Sequence, residues 1–330
     1  MRGDRFYCLR PCFCLYSGTS IFSFLSFAIC LLPFTLSAST LSQQFDAQRA
    51  FSHVQKQVEF GPRPSGSTQL QQTREYLITQ LRSYGLDVHE QPFEDQTARG
   101  PIRFVNIIAT LPRSFFSSVF NQKPHTILIA SHYDTKWIPN IRFVGANDSA
   151  SSTGVLLEIA RLIAKTQFQP SHSHIEFVLF DGEEATHNYQ LSENNGPQDG
   201  LHGSRYYVKQ AKQKAKDNTL SEIQAIILMD MIGDRDLSIQ VPSGDSNLMK
   251  RLFDASTVLG LRDFFHYSPQ PIIDDHVPFV LERVPTIDLI DFDYGPHNRW
   301  WHTEEDTLDK INPQSLKVVG QTVLKILEEF

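Results

Sequence analysis

Acidic residues and histidines stand directly behind short apolar runs at several places in this chain. Thr126–Ala130 is followed by Ser131-His132-Tyr133-Asp134-Thr135-Lys136, and Phe143-Val144-Gly145-Ala146-Asn147-Asp148-Ser149 leads into an apolar stretch near Ser151. Ile175–Phe180 ends in Asp181-Gly182-Glu183-Glu184, Ala225–Met229 ends in Asp230, and Trp300-Trp301-His302-Thr303 follows the last apolar run. Singly, each has a plain structural reading. His132 reads as a satisfied core histidine, Asp148 as a helix N-cap, Glu183-Glu184 as a solvated corner and Asp230 as a turn. Together they place more negative charge near one edge than can be buried without a cation. All four cysteines (Cys8, Cys12, Cys14, Cys30) lie in the first thirty residues, so no thiolate ligand, Cys nucleophile or disulfide is available afterwards. Imidazole and carboxylate donors without thiolate suit Zn²⁺ in an open, catalytic site. In the Glu183-Glu184 pair, one carboxylate can bind metal while its neighbour moves protons.

These residues must be carried by strands that end at a common edge. Continuous apolar runs at Phe104–Leu111, Thr126–Ser131, Ile175–Phe180, Ala225–Met229 and Thr286–Ile290 have the pattern of buried central strands. Helical stretches are expected at Phe45–Val58, Leu70–Leu81, Ser151–Ala164, His202–Lys214, Asn247–Leu259 and Pro313–Glu329. Phe60–Ser67, with two prolines and two glycines, reads as a rigid turn whose Ser67 caps the next helix. Phe115–Pro124 and Gln190–Gly200 read as surface loops. Strands alternating with helices predict an α/β three-layer sandwich: a mixed, mostly parallel central sheet with helices on both faces. Open sheets of this kind place ligands beyond the carboxyl ends of their strands, where the acidic residues and histidines fall.

The chain has 330 residues, 41% of them hydrophobic and 20% charged, which excludes fibrous and wholly disordered classes. No internal repeat or long linker divides residues 39–330, which read as a single catalytic domain. The formal charge of −7 argues against nucleic-acid binding. Residues 1–38 carry Arg2, Arg5 and Arg10, then the apolar run Ile21–Leu36 and small residues Ser37-Ala38-Ser39. That order predicts a signal peptide and export, secreted or periplasmic, with a retained membrane anchor as the alternative. Without the segment the net charge is −9. No Gly-x-Ser-x-Gly elbow follows a strand, so a serine hydrolase is disfavoured. A non-catalytic binding module would be expected to have lost a member of the acidic set, and none is missing.

The ordered set His132-Tyr133-Asp134, Gly145-Ala146-Asn147-Asp148, Asp181-Gly182-Glu183-Glu184, Gly203-Ser204-Arg205, Asp230 and Trp301-His302-Thr303 resembles the M28 family of zinc exopeptidases. Within it, the chain is most similar to the glutaminyl-peptide cyclotransferases, or glutaminyl cyclases. The similarity runs from about Phe60 to the C-terminus and includes Ile273-Asp274-Asp275-His276-Val277-Pro278-Phe279. It implies Asp148, Glu184 and His302 as ligands of a single zinc and Glu183 as the proton shuttle. It further implies Asp230 and Asp274 as acidic partners of that shuttle and Trp301 as a pocket wall. Tyr189 stands where animal cyclases have a second pocket tryptophan, and Asp288 where they have a histidine.

Dizinc aminopeptidases of the same family use the same positions, with His132 and Asp230 as candidates for a second metal. The resemblance therefore implies one Zn²⁺ for a cyclase and two for an aminopeptidase, both acting on peptide or protein N-termini. Trp300, Trp301, Trp137 and Tyr189 are expected to wall a small pocket, with Lys136 beside it, and this favours the cyclase. A monomer is expected, with membrane contact only through an uncleaved N-terminal segment.

Overall fold

In this computed structural model, residues 39–112, 125–171, 173–187, 199–213 and 219–330 are described. The expected leader, Tyr189 and most of the two expected surface loops lie outside them. Ser39–Phe330 form one compact unit.

Among the described residues, eight strands run in chain order: β1 (Asp87–Thr97), β2 (Gly100–Thr110), β3 (His125–His132), β4 (Ser173–Phe180), β5 (Ile223–Asp230), β6 (Ile239–Val241), β7 (Phe265–Tyr267) and β8 (Thr286–Ile290). The helices are α1 (Ala47–Phe60), α2 (Thr68–Ser83), α3 (Ala150–Thr166), α4 (His202–Gln213), α5 (Ser246–Val258), α6 (Val277–Leu281) and α7 (Pro313–Leu327). The strands form one sheet in the order β1-β2-β4-β3-β5-β8-β6-β7. Its centre, β4-β3-β5-β8, is wholly parallel. β1 and β2 form an antiparallel hairpin on one side, and β6 joins β8 antiparallel on the other.

Alternation along the strands explains the layers. Ile127 and Ile129 of β3 face one core with α1, α2, α3, α5 and α7, whereas Leu128 and Ala130 face the other with Val208 of α4 and Phe279 of α6. The three-layer sandwich is therefore the observed fold. β1, β6, β7 and α6 go beyond the elements expected from sequence. β1 is a polar edge strand with Pro92 in its middle and only Phe93 and Thr97 buried, and β6 and β7 have three residues each.

Local chemistry sets the helix starts. The Asp46 carboxylate accepts from the N–H of Gln48 and Arg49 at the start of α1, and Ser67 Oγ accepts from Leu70 at the start of α2. The turn between them carries Arg63, which is fully buried. Arg63 Nε donates to the carbonyl of Tyr133 (3.1 Å), and its terminal nitrogens donate to Val144 (2.6 Å) and Gly145 (3.0 Å). One side chain thus ties the segment after β3 to the loop before α3. Among the described residues, no helix is long and apolar enough to cross a membrane.

His53 on α1 lies between two tyrosines, its Nδ1 2.6 Å from Tyr76 Oη and its Nε2 3.1 Å from Tyr84 Oη. Burial, reinforced by Arg49 and Arg161, pushes its pKa from 6.5 down to about 4. Between those values the unfolded chain holds a proton that the folded chain refuses, so stability falls as pH drops through the interval. The expected loss is on the order of 2–3 kcal/mol. Denaturant titrations at pH 7 and pH 4.5 should show a smaller pH dependence for His53→Gln than for wild type, and equal dependence would exclude His53 as its source.

Candidate metal centre and active site

The segments that follow β3, β4, β5 and β8 emerge at the same edge of the parallel sheet, and backbone contacts lock them together. The Asp134 carboxylate accepts from the N–H groups of Gly182 (3.0 Å), Glu183 (3.2 Å) and Glu184 (3.4 Å). It also lies 3.4 Å from His132 Nδ1. Asp306 accepts from the N–H groups of Asn147 (2.7 Å) and Asp148 (3.2 Å) and from Tyr294 Oη (2.7 Å). Met231, next to Asp230, and His302 both have left-handed backbones, with φ of 50° and 54°. Such angles persist in non-glycine residues only when the surroundings over-determine them.

This frame brings together two sets of three donors that share Asp148. His132, Asp148 and Asp230 form one, and Asp148, Glu184 and His302 form the other, with the donor atoms of each set within 4.8 Å of one another. Asp148 Oδ1 is 3.3 Å from His132 Nε2, which is also 3.1 Å from Asp230 Oδ1. Asp148 Oδ2 is 3.3 Å from His302 Nε2, which is also 2.9 Å from Glu184 Oε1. Ligands about 2.0–2.1 Å from a tetrahedral ion stand roughly 3.3 Å apart, so this spacing fits a metal without rearrangement. Burial fits too, since every donor except His302 is at least nine-tenths buried. All five sequence-derived metal positions therefore converge, and the site fits a metal ion.

The charges respond strongly to one another. Burial opposes a proton on His132, yet Asp230 above all, with Asp134 and Asp148, raises its pKa well above the usual value. Burial likewise opposes charge on His302, but Glu184 and Asp148 lift it to about 9. Burial works against ionisation of Asp148, and the two imidazoles nevertheless hold it far below the usual carboxylate range. Asp230 is pushed up to about 6, chiefly by burial, with His132 pulling the other way. Glu183 is raised well above an ordinary glutamate by burial, with Glu184, Asp275 and Asp230 adding to it against His132. A carboxyl so shifted is suited to accept and release protons near neutral pH.

Glu183 lines a cavity of about 430 Å³ together with Asp148, Glu184, Asp230, Asp274 and His302. The lining also includes the apolar residues Pro269, Pro271, Ile272, Ile273 and Phe292. Trp301 lines it as expected, stacked on His302 with ring centroids 4.0 Å apart and edge-on to Phe292. Lys136 Nζ donates to Glu184 Oε2 and to the carbonyl of Ala185, each at 3.1 Å, and so reaches a residue that lines the cavity. Trp300 packs edge-on against Tyr294, and Trp137 is 40% exposed beneath Arg99, so neither walls this cavity. The supporting roles of Asp134, Asp306 and Arg63 were not expected from sequence. Asp134 alone carries a local signal, standing two residues after His132.

The model of peptidase family M28 matches residues 106–327. A glutaminyl-peptide cyclotransferase of Drosophila melanogaster is 30% identical over 306 residues, covering 85% of this chain and 79% of that protein. Among solved structures, a glutaminyl cyclase from an Acidobacteriales bacterium superposes with a TM-score of 0.77 at 30% identity, covering 89% of this chain and 96% of that one. A leucine aminopeptidase precursor from Bacteroides thetaiotaomicron superposes with a TM-score of 0.72 at 28% identity, covering 87% and 98%.

Gly145 has φ of +53°, and a Cβ there would sit 1.8 Å from the carbonyl oxygen of Asp148. Gly145→Ala should therefore displace Asp148, destabilising the fold by about 3 kcal/mol or more and lowering metal content. Thermal unfolding and metal analysis of the variant check this. Wild-type values for both would show that the loop tolerates a side chain.

Proposed function

This chain belongs to peptidase family M28, and on that premise we propose that it is a glutaminyl-peptide cyclotransferase, closing an N-terminal glutamine of a peptide to pyroglutamate with release of ammonia. The observation that carries the reading is the placement of Glu183, with its raised pKa, in one cavity with the complete Asp148–Glu184–His302 donor set. We assign Zn²⁺ to that set, because one imidazole and two carboxylates with an open side match a catalytic zinc site. When bound, the ion supplies Lewis acidity toward the side-chain amide carbonyl of the substrate.

The chain's own residues do the rest. The substrate's α-nitrogen attacks the side-chain amide carbon, and Glu183 takes the proton that the nitrogen must lose. Glu183 then returns that proton to the departing amide nitrogen, which leaves as ammonia when the carbon–nitrogen bond breaks. No water is consumed. Asp230 and Asp274 line the cavity beside Glu183, whose pKa is held up by burial first and then by Glu184, Asp275 and Asp230, so the proton is kept long enough to be delivered. The acidic floor also draws in a cationic N-terminus, and Trp301 with the apolar loop of Ile272 and Ile273 encloses its side chain. We read residues 1–38 as an export leader ahead of one catalytic domain, 39–330, acting as a monomer.

One observation favours a second reading. Asp148 offers a separate oxygen to each imidazole, so His132 and Asp230 complete a place for a second ion. With two ions, Glu183 would deprotonate an attacking water and the chain would be an aminopeptidase. Incubating the zinc-loaded protein with two peptides, one starting in Gln and one in Leu, separates the readings by mass spectrometry. The Gln peptide is expected to lose one ammonia and the Leu peptide to stay intact, whereas release of free Leu would establish the aminopeptidase. In the same assay Glu183→Gln should keep its zinc while losing activity by about 10²–10⁴-fold. Near-normal turnover would remove Glu183 from the proton path. Asp148→Ala, by contrast, should lose zinc and activity together.

A further inference from the structure

A third group of buried donors lies beside the site and takes no part in either metal set. Asp274 and His276 stand two residues apart just before α6, and Asp288 is the middle residue of β8. They are 2%, 6% and 1% exposed. One donor atom from each lies within 4.8 Å of the other two. His276 Nδ1 is 3.2 Å from Asp288 Oδ2, yet neither atom has a hydrogen-bond partner. Asp288 Oδ1 and Asp274 Oδ2 are also buried and unpartnered.

Three side chains that turn buried lone pairs toward one another without donating to one another need something between them. Two carboxylates held this close repel, and among the described residues neither has an ion pair with a lysine or arginine. The 3.2 Å separation of imidazole nitrogen and carboxylate oxygen is close to the edge of a tetrahedron drawn about a zinc-sized ion, roughly 3.3 Å.

We propose that Asp274, His276 and Asp288 form a further divalent-cation site, separate from the Asp148 centre. One imidazole and two carboxylates favour Zn²⁺ over the all-oxygen ions Ca²⁺ and Mg²⁺. Bound there, the ion joins the turn before α6 to strand β8 and fixes the Asp274 carboxyl in the cavity wall near Glu183. Its role is positional, and it does not depend on which reaction the neighbouring centre performs.

The test is metal occupancy. Crystals of the zinc-equilibrated protein, measured above and below the zinc absorption edge, should show an anomalous peak within bonding distance of Asp274, His276 and Asp288, distinct from any at Asp148. His276→Gln and Asp288→Asn should each bind one zinc fewer per chain than wild type and keep the peak at Asp148. Anomalous density at the Asp148 centre alone would overturn the proposal and leave the three side chains sharing protons instead. Should either variant fail to fold, the wild-type map still decides.

Discussion

Concentrated negative charge in a buried place is the constraint around which this molecule is organised. Asp134, Asp148, Glu183, Glu184, Asp230, Asp274, Asp275, Asp288 and Asp306 are all at least nine-tenths buried. Burying ionised carboxylates is costly unless each is paired or hydrogen-bonded. The chain divides the problem into parts. Asp134 and Asp306 are met by backbone N–H groups, Asp148 by two imidazoles and Glu184 by an imidazole and Lys136. Glu183, Asp230 and Asp274 line the cavity, and Asp274 lies close to Asp288.

Parallel strands make that concentration possible. β3 lies between β4 and β5, so the segments leaving three neighbouring strands meet at one edge, and β8 brings a fourth. Their meeting is then secured by contacts that no single segment contains. Arg63 reaches from the turn before α2 to carbonyls of the segment after β3 and of the loop before α3, Asp134 holds the turn after β4, and Asp306 holds the turn that ends in Asp148. Burial lowers the Arg63 pKa to about 10, against the pull of Asp306, Asp148 and Asp134, so it keeps its charge at neutral pH in a fully enclosed position.

How much of this can be read from sequence depends on where the information lies. The five central strand segments are visible because both faces are buried, which writes an unbroken apolar run. His132, Glu184 and Asp230 are visible because each stands at or just after the end of such a run, whereas Asp148 precedes α3 and His302 lies in the segment after β8. β1 is hidden because an edge strand with mostly exposed side chains needs no apolar pattern. Asp306 and Arg63 are hidden because their partners are main-chain groups, up to 159 residues away in the case of Asp306, and main-chain groups leave no mark on side-chain identity. The bond from Lys136 to Glu184 is hidden in the same way, because that partner comes from another strand's end.

Neighbouring glutamates with opposite duties are the least obvious product of this arrangement, and the geometry accounts for them. Successive residues of a turn point apart, so one of the pair can face the metal set while the other faces the cavity. Glu184 is committed on both oxygens, Oε1 toward His302 and Oε2 toward Lys136, which fixes its position. Burial first, and then Glu184, Asp275 and Asp230, drive the Glu183 pKa upward against the pull of His132. The same backbone N–H contacts from Asp134 serve both residues, so neither can turn to take the other's place. Two identical, adjacent side chains thus differ in their surroundings: His302 and Lys136 hold the oxygens of Glu184, whereas Glu183 faces a cavity lined by further acids.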